Sequence, residues 1–145
     1  MAGPTQTDID LLSKRPVTAG RLLIDGAWHE GEGTPSEVLS PIDGRVLTTL
    51  AAASGADVAR AVASARASFE AGGWSRMAPA GRKAVLHRLA DLIESHALEL
   101  AVLGVRDNGT EIGMALKAEP GSAAGTFRYY AEAIDKVYGE IAPTA

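Results

Sequence analysis

Three histidines, eighteen acidic side chains and no cysteine bound the chemistry open to this 145-residue chain. Without a sulfur there is no thiolate nucleophile, no zinc ribbon and no iron–sulfur ligation. His87 and His96 stand nine residues apart, on opposite faces of any helix that holds both, and His29 falls in a separate extended segment, so the imidazoles do not converge. Ser75, Ser95 and Ser122 are the serines to test as nucleophiles. None lies in a Gly-x-Ser-x-Gly elbow, and no Ser–His–acid set follows from the spacing. Glu94, Glu99 and Glu111 are scattered along helix faces and read as solvated. Gly31-Glu32-Gly33 begins like a dinucleotide fingerprint, but position 36 is Ser and no helix opens there, which leaves a loop. The sequon Asn108-Gly109-Thr110 answers better to a helix end that needs a left-handed residue. Residue chemistry therefore assigns no catalytic and no cofactor-binding residue.

One carboxylate stands apart. Asp107 follows a long helical pattern, whose last four carbonyls have no partner within the helix. A carboxylate beside free carbonyls suits a hard cation, which prefers oxygen ligands. Hydrogen bonding to its own turn is the simpler alternative.

The elements that must position these groups divide the chain in two. Residues 1–20 are polar, punctuated by Pro4, Pro16 and Gly20, and read as a tail with a short helical turn at 8–14. Two extended runs, Leu22-Leu23-Ile24 and Ala27-Trp28-His29, flank Asp25-Gly26, a strong hairpin signal. Val38-Leu39 and the run 46–51 follow, separated by the turn Ser40-Pro41-Ile42-Asp43-Gly44. After residue 53 the period becomes helical. Ser54 and Asp57 resemble a capping box, Val58, Val62, Ala65 and Phe69 form one stripe, and Gly72-Gly73 stops the helix. Pro79 opens a second helix expected to run to about 105. A shorter one is expected over 111–118, interrupted at Pro120-Gly121, and a last one carries Phe127, Tyr130, Ile134 and Val137 up to Gly139. The fold expected is N-terminal β-hairpins followed by four packed helices.

Composition narrows the class further. A formal charge of −4 and a pI of about 5.3 argue against a nucleic-acid surface. The longest apolar runs are too short for a bilayer, so no membrane span is expected. Residues 1–20 hold no apolar core of a signal peptide, and with no cysteine nothing argues for an oxidising compartment. A cytoplasmic protein is the expectation. The 27 alanines favour small, closely packed helices.

In order, Leu23-Ile24-Asp25-Gly26-Ala27-Trp28, Ser40-Pro41-Ile42-Asp43-Gly44-Arg45-Val46, Ala56-Asp57-Val58-Ala59-Arg60-Ala61-Val62 and Trp74-Ser75-Arg76-Met77 resemble the start of an aldehyde dehydrogenase. Arg88-Leu89-Ala90-Asp91-Leu92-Ile93-Glu94, Asp107-Asn108-Gly109 and the run from Arg128 to Glu140 continue the pattern. The last run, with Arg82-Lys83-Ala84-Val85-Leu86, is most similar to bacterial enzymes that oxidise γ-glutamyl-γ-aminobutyraldehyde and related ω-amino or guanidino aldehydes. The resemblance implies an α/β parent with a Rossmann-like NAD-binding domain, of which 21–145 would be the incomplete N-terminal part. It implies NAD or NADP as cofactor of the parent, an aldehyde substrate and a homo-oligomeric parent. The catalytic cysteine and glutamate of the family would lie beyond the point matching Ala145, so the expectation is a truncated piece, inactive alone, whose partner is the remainder of the enzyme. A non-catalytic helical interaction module, or one half of a split enzyme, is the alternative.

The resemblance also implies sites. A structural monovalent cation in many family members is held by carbonyls at the positions of Val38 and Leu39 and by the aspartate at Asp107. The segment between the third and fourth helices borders the substrate tunnel, which nominates Ala118, Glu119 and Ser122; Glu119 would pair with a cationic substrate or face solvent before Pro120. Three departures from the family pattern fall nearby. Gly104-Val105-Arg106 replaces Glu-(Thr/Ser)-Leu, Thr110-Glu111 replaces Lys-Pro, and Pro120 comes one place early. The glycine costs its helix up to about 1 kcal/mol relative to alanine.

Overall fold

The computed structural model describes residues 3–139, so Glu140 of the last motif and the end of the 21–145 segment lie outside the described residues. The order is helix α1 (Gln6–Ser13), strands β1 (Leu22–Ile24), β2 (Ala27–His29), β3 (Ser36–Leu39) and β4 (Val46–Leu50), then helices α2 (Gly55–Ala71), α3 (Pro79–Ser95), α4 (Ala97–Asn108) and α5 (Ile112–Ala133). A single turn of 3-10 helix (Ile134–Lys136) follows.

Each hairpin forms for a local reason. Asp25 and Gly26 have φ of 52° and 72°, the two positive values that a two-residue type I′ turn requires, and Leu23 pairs with Trp28 across it. In the second hairpin Val38 pairs with Thr48 but Leu39 with Val46, so Leu47 is left out of the ladder as a bulge. Helices α1, α2 and α5 start at side-chain caps, whereas α3 and α4 do not. Thr5 and Asp8 form a full capping box on α1, as Ser54 and Asp57 do on α2. The sequence expected only a turn at 8–14; the Thr5 box starts the helix two residues earlier.

Two expectations about the helices are corrected. The single helix over 79–105 is two, broken at His96, whose φ of −105° and ψ of 15° bend the backbone while His96 N–H still bonds the Leu92 carbonyl at 3.1 Å. Apolar periodicity runs through such a one-residue bend and does not register it. Conversely, the separate helices over 111–118 and from Phe127 onward are one helix, α5, which passes through Pro120. Proline removes an N–H and crowds the carbonyl four residues back, here Leu116, at a cost of about 3 kcal/mol in an isolated helix. Packing of α5 along both α3 and α4 offsets it, and Pro120 is itself buried in that contact. The helical turns end at Lys136, short of Gly139.

The core lies in the α3–α4–α5 bundle and is made of small residues. Ala90, Ala101, Ala115, Ala124 and Ala131 are fully buried, with Val102 beside them. Alanine lets helix axes approach closely, so larger side chains are displaced to the margins; Leu89, Leu92, Leu100 and Leu103 are all more than a third exposed. Arg128 of α5 reaches Asp91 (2.7 Å) and Glu94 of α3, and Lys83 of α3 reaches Glu132 (2.9 Å) and Asp135 (3.0 Å). The Arg128 guanidinium holds the Glu94 carboxyl below its ordinary range. Helix α1 packs on α4, where Arg106 Nη1 donates to the Arg15 carbonyl at 2.6 Å.

Candidate functional site

The residues singled out in the sequence fall into two places. The first is an open cavity of about 340 Å³ between the second hairpin and α4, walled by Val38, Leu47 and Thr48 on one side and Gly104, Arg106 and Asp107 on the other. The structure thus brings Val38 and Asp107 to one space although 69 residues separate them. Leu39, next along the strand, is not on that wall and is 54% exposed. Asp107 does not follow its helix, as the sequence had it, but lies in the last turn of α4, which Gly109 closes at φ 78°. A carboxylate there faces the negative end of the helix dipole, an arrangement that an added cation would relieve. The donors available are hard oxygens: one carboxylate, the C-terminal carbonyls of α4, and a strand whose partner is interrupted by the Leu47 bulge. That set fits a singly charged hard cation in type and charge. The Arg106 guanidinium on the same wall opposes it.

The second place is the middle of α5. Ala118, Glu119 and Ser122 are exposed and flank Pro120. Glu119 is not simply directed away from the fold. A Cβ placed on Gly104 would lie 2.6 Å from Glu119 Oε2, so the carboxylate occupies the space a side chain on α4 would take. Gly104 therefore borders both places, with the cavity on one hand and the Glu119 carboxylate on the other. The sequence marked Gly104 as a weak point of its helix; in the structure the tip of the exposed Glu119 side chain lies over it.

A polar site that the sequence read only in part lies at the start of α2. Asp57 is 1% exposed. Its Oδ2 accepts the backbone N–H groups of Ser54 and Glu32, each at 2.8 Å, and its Oδ1 meets the Arg60 guanidinium. Arg60 also holds Glu32 Oε1 at 2.8 Å. Those two backbone donors are the main reason that the Asp57 carboxyl stays below its ordinary range. The loop it captures is Gly31-Glu32-Gly33. Gly33 N–H bonds the Ala52 carbonyl at 3.0 Å, and a Cβ on Gly31, at φ 72°, would come within 2.5 Å of that oxygen. The glycines serve a close backbone approach, not a phosphate. Serine with aspartate three residues on was the visible signal; the reach to Glu32 was not.

A family model for aldehyde dehydrogenases matches residues 28–145. The chain belongs to the aldehyde dehydrogenase family. It is 45% identical over 126 residues to the NADP/NAD-dependent aldehyde dehydrogenase PuuC of Escherichia coli K12, covering 86% of this chain and 26% of PuuC. It is 42% identical over 124 residues to an aminoacetaldehyde dehydrogenase of Pseudomonas aeruginosa, covering 85% and 25%. The crystal structure of γ-glutamyl-γ-aminobutyraldehyde dehydrogenase from Burkholderia cenocepacia superposes with a TM-score of 0.88 at 42% identity, over 96% of this chain and 28% of that one. The chain thus spans about a quarter of the length of these relatives, and its two small sheets and five helices are the N-terminal portion of the aldehyde dehydrogenase fold.

Proposed function

We propose that residues 21–145 are the N-terminal part of the cofactor-binding domain of an NAD(P)-dependent aldehyde dehydrogenase that oxidises ω-amino or γ-glutamylamino aldehydes to carboxylic acids, and that these 145 residues alone are inactive. The observation that carries the reading is the identity to PuuC, 45%, in a chain that spans about a quarter of PuuC and holds no cysteine. The partners follow: the remainder of such an enzyme, an aldehyde, and further copies of the whole enzyme in a cytoplasmic homo-oligomer. NAD or NADP belongs to that whole. Its pyrophosphate needs a glycine-rich loop at a helix start, and the one candidate here, Gly31-Glu32-Gly33, is closed against Ala52, so none of these residues is assigned to it. The test is aldehyde-dependent NAD(P)H formation by the purified chain against a heat-killed control. None is expected, and any clear signal overturns the reading.

Val38, Leu39 and Asp107 are proposed as the cation site of this segment, supported by the shared cavity of Val38 and Asp107. Ala118, Glu119 and Ser122 are proposed to border the substrate tunnel. In an assembled enzyme Glu119→Gln would raise KM for cationic aldehydes and leave neutral aliphatic ones nearly unchanged. Equal effects on both would instead assign Glu119 to the α4–α5 contact over Gly104. The second reading, a non-catalytic interaction module or half of a split enzyme, draws support from the open apolar stripe of α2, where Val58, Val62 and Phe69 are more than half exposed. Downstream DNA that encodes the cysteine-bearing remainder favours the first; unrelated downstream genes with stable expression favour the second.

A further inference from the structure

A cavity of about 720 Å³ lies between α1, the turn of the second hairpin and α4, and it adjoins the first place described above, sharing Val17, Leu47 and Arg106 with it. Lys14, Arg15, Arg45 and Arg106 line it. The one acidic side chain among the lining residues, Asp43, is paired with Arg45 at 3.0 Å. The cavity thus carries a formal excess of three positive charges in a chain whose net charge is −4. Helix dipoles explain part of this, because cations are favoured at C-termini and Lys14 and Arg106 sit at the ends of α1 and α4. They do not explain Arg45, which stands beyond the turn of a hairpin. Two helix ends also contribute only about half a negative charge each, which leaves the cavity positive. Among the described residues no carboxylate pairs with Lys14, Arg15 or Arg106, and Arg106 spends one N–H on the Arg15 carbonyl. Between the charges the wall is apolar: Ile9, Val17, Ile42, Val102 and Ile112.

We infer that this cavity binds an anion with an apolar body, of the class of a medium-chain carboxylate. The exposed basic groups at the rim attract a carboxylate, and the apolar wall takes the chain. The volume is in the range of small-molecule sites, about 300–1,000 Å³. The inference does not depend on the proposed dehydrogenase activity.

The test uses the 145-residue chain, isotopically labelled, titrated with decanoate, with decyltrimethylammonium and with inorganic phosphate, each followed by amide NMR shifts. Decanoate is expected to move the amides of Lys14, Ile42 and Val102, more weakly as salt is raised. Lys14→Gln and Arg45→Gln, made separately, are each expected to weaken it about tenfold, the worth of one charge-assisted hydrogen bond. Neither residue carries the α1–α4 hydrogen bond, and far-UV circular dichroism of both variants is expected to match the parent. Equal shifts with the cationic amphiphile, shifts confined to the α2 stripe, or unchanged affinity in both variants would overturn the inference. Phosphate matching decanoate at the same amides would overturn its apolar part.

Discussion

The α3–α4–α5 bundle and the α2–hairpin half are built on opposite plans. In the bundle the smallest side chains are fully buried, at Ala90, Ala101, Ala115, Ala124 and Ala131, and ion pairs such as Arg128 with Asp91 and Glu94 run along the outside. In the other half the one large side chain fully buried among the described residues is charged, Asp57, while the helix that carries it leaves Val58, Val62 and Phe69 open. Ile24 is the sole buried hydrophobic residue there among the described residues. The difference teaches where each half is vulnerable. An alanine core closes on itself and fails by overfilling. A polar anchor with an uncovered stripe fails by losing one hydrogen-bonding group, and tolerates change on its open face.

The largest effect is expected from overfilling. Ala124→Leu puts a branched side chain between helices whose approach depends on a methyl group, and should cost about 3 kcal/mol, the upper end for overpacking. A chemical-denaturation midpoint unchanged from the parent would break the contrast from the bundle side. The next effect is local. Asp57→Asn keeps the shape but removes the charge that meets Arg60, so amide exchange should speed up across α2 and residues 31–33 while the bundle stays protected. Uniform loss of protection would mean that the two halves unfold as one unit.

Acid offers the same cut without mutation. The Asp57 carboxyl titrates lower in the folded chain than its ordinary value of 3.8, so its contribution is present above that value and is lost as pH falls through the lower folded one. Protection factors in α2, corrected for intrinsic exchange, should therefore fall below pH 3.8, and the Asp57→Asn variant should lack that step. The smallest effect is expected on the open stripe. Val62→Lys should change stability by less than about 0.5 kcal/mol, as surface substitutions do, and should reduce binding of a hydrophobic dye. A marked loss of stability would show that the stripe is packed rather than open.

The hairpins, both glycine helix ends at Gly72 and Gly109, and the Ser54 cap were legible because each is decided within a few residues. The break at His96 was not, since a one-residue bend leaves the apolar period intact. Continuity through Pro120 was not either, because propensity argues for a stop and only the packing of α5 on two helices outweighs it. At the candidate sites the residues could be named but not their surroundings. Nothing local to Gly104 announces a carboxylate fifteen positions on, and nothing near Asp57 announces the amide of Glu32.

The bond from Arg106 to the Arg15 carbonyl joins positions 91 residues apart. At synthesis rates of 5–20 residues per second, α1 leaves the ribosome about 5–18 s before the helix it rests on has been made. An eight-residue helix does not persist by itself in water for that interval, capping box or not. The first helix in the chain is therefore expected to settle only after α4 has been made.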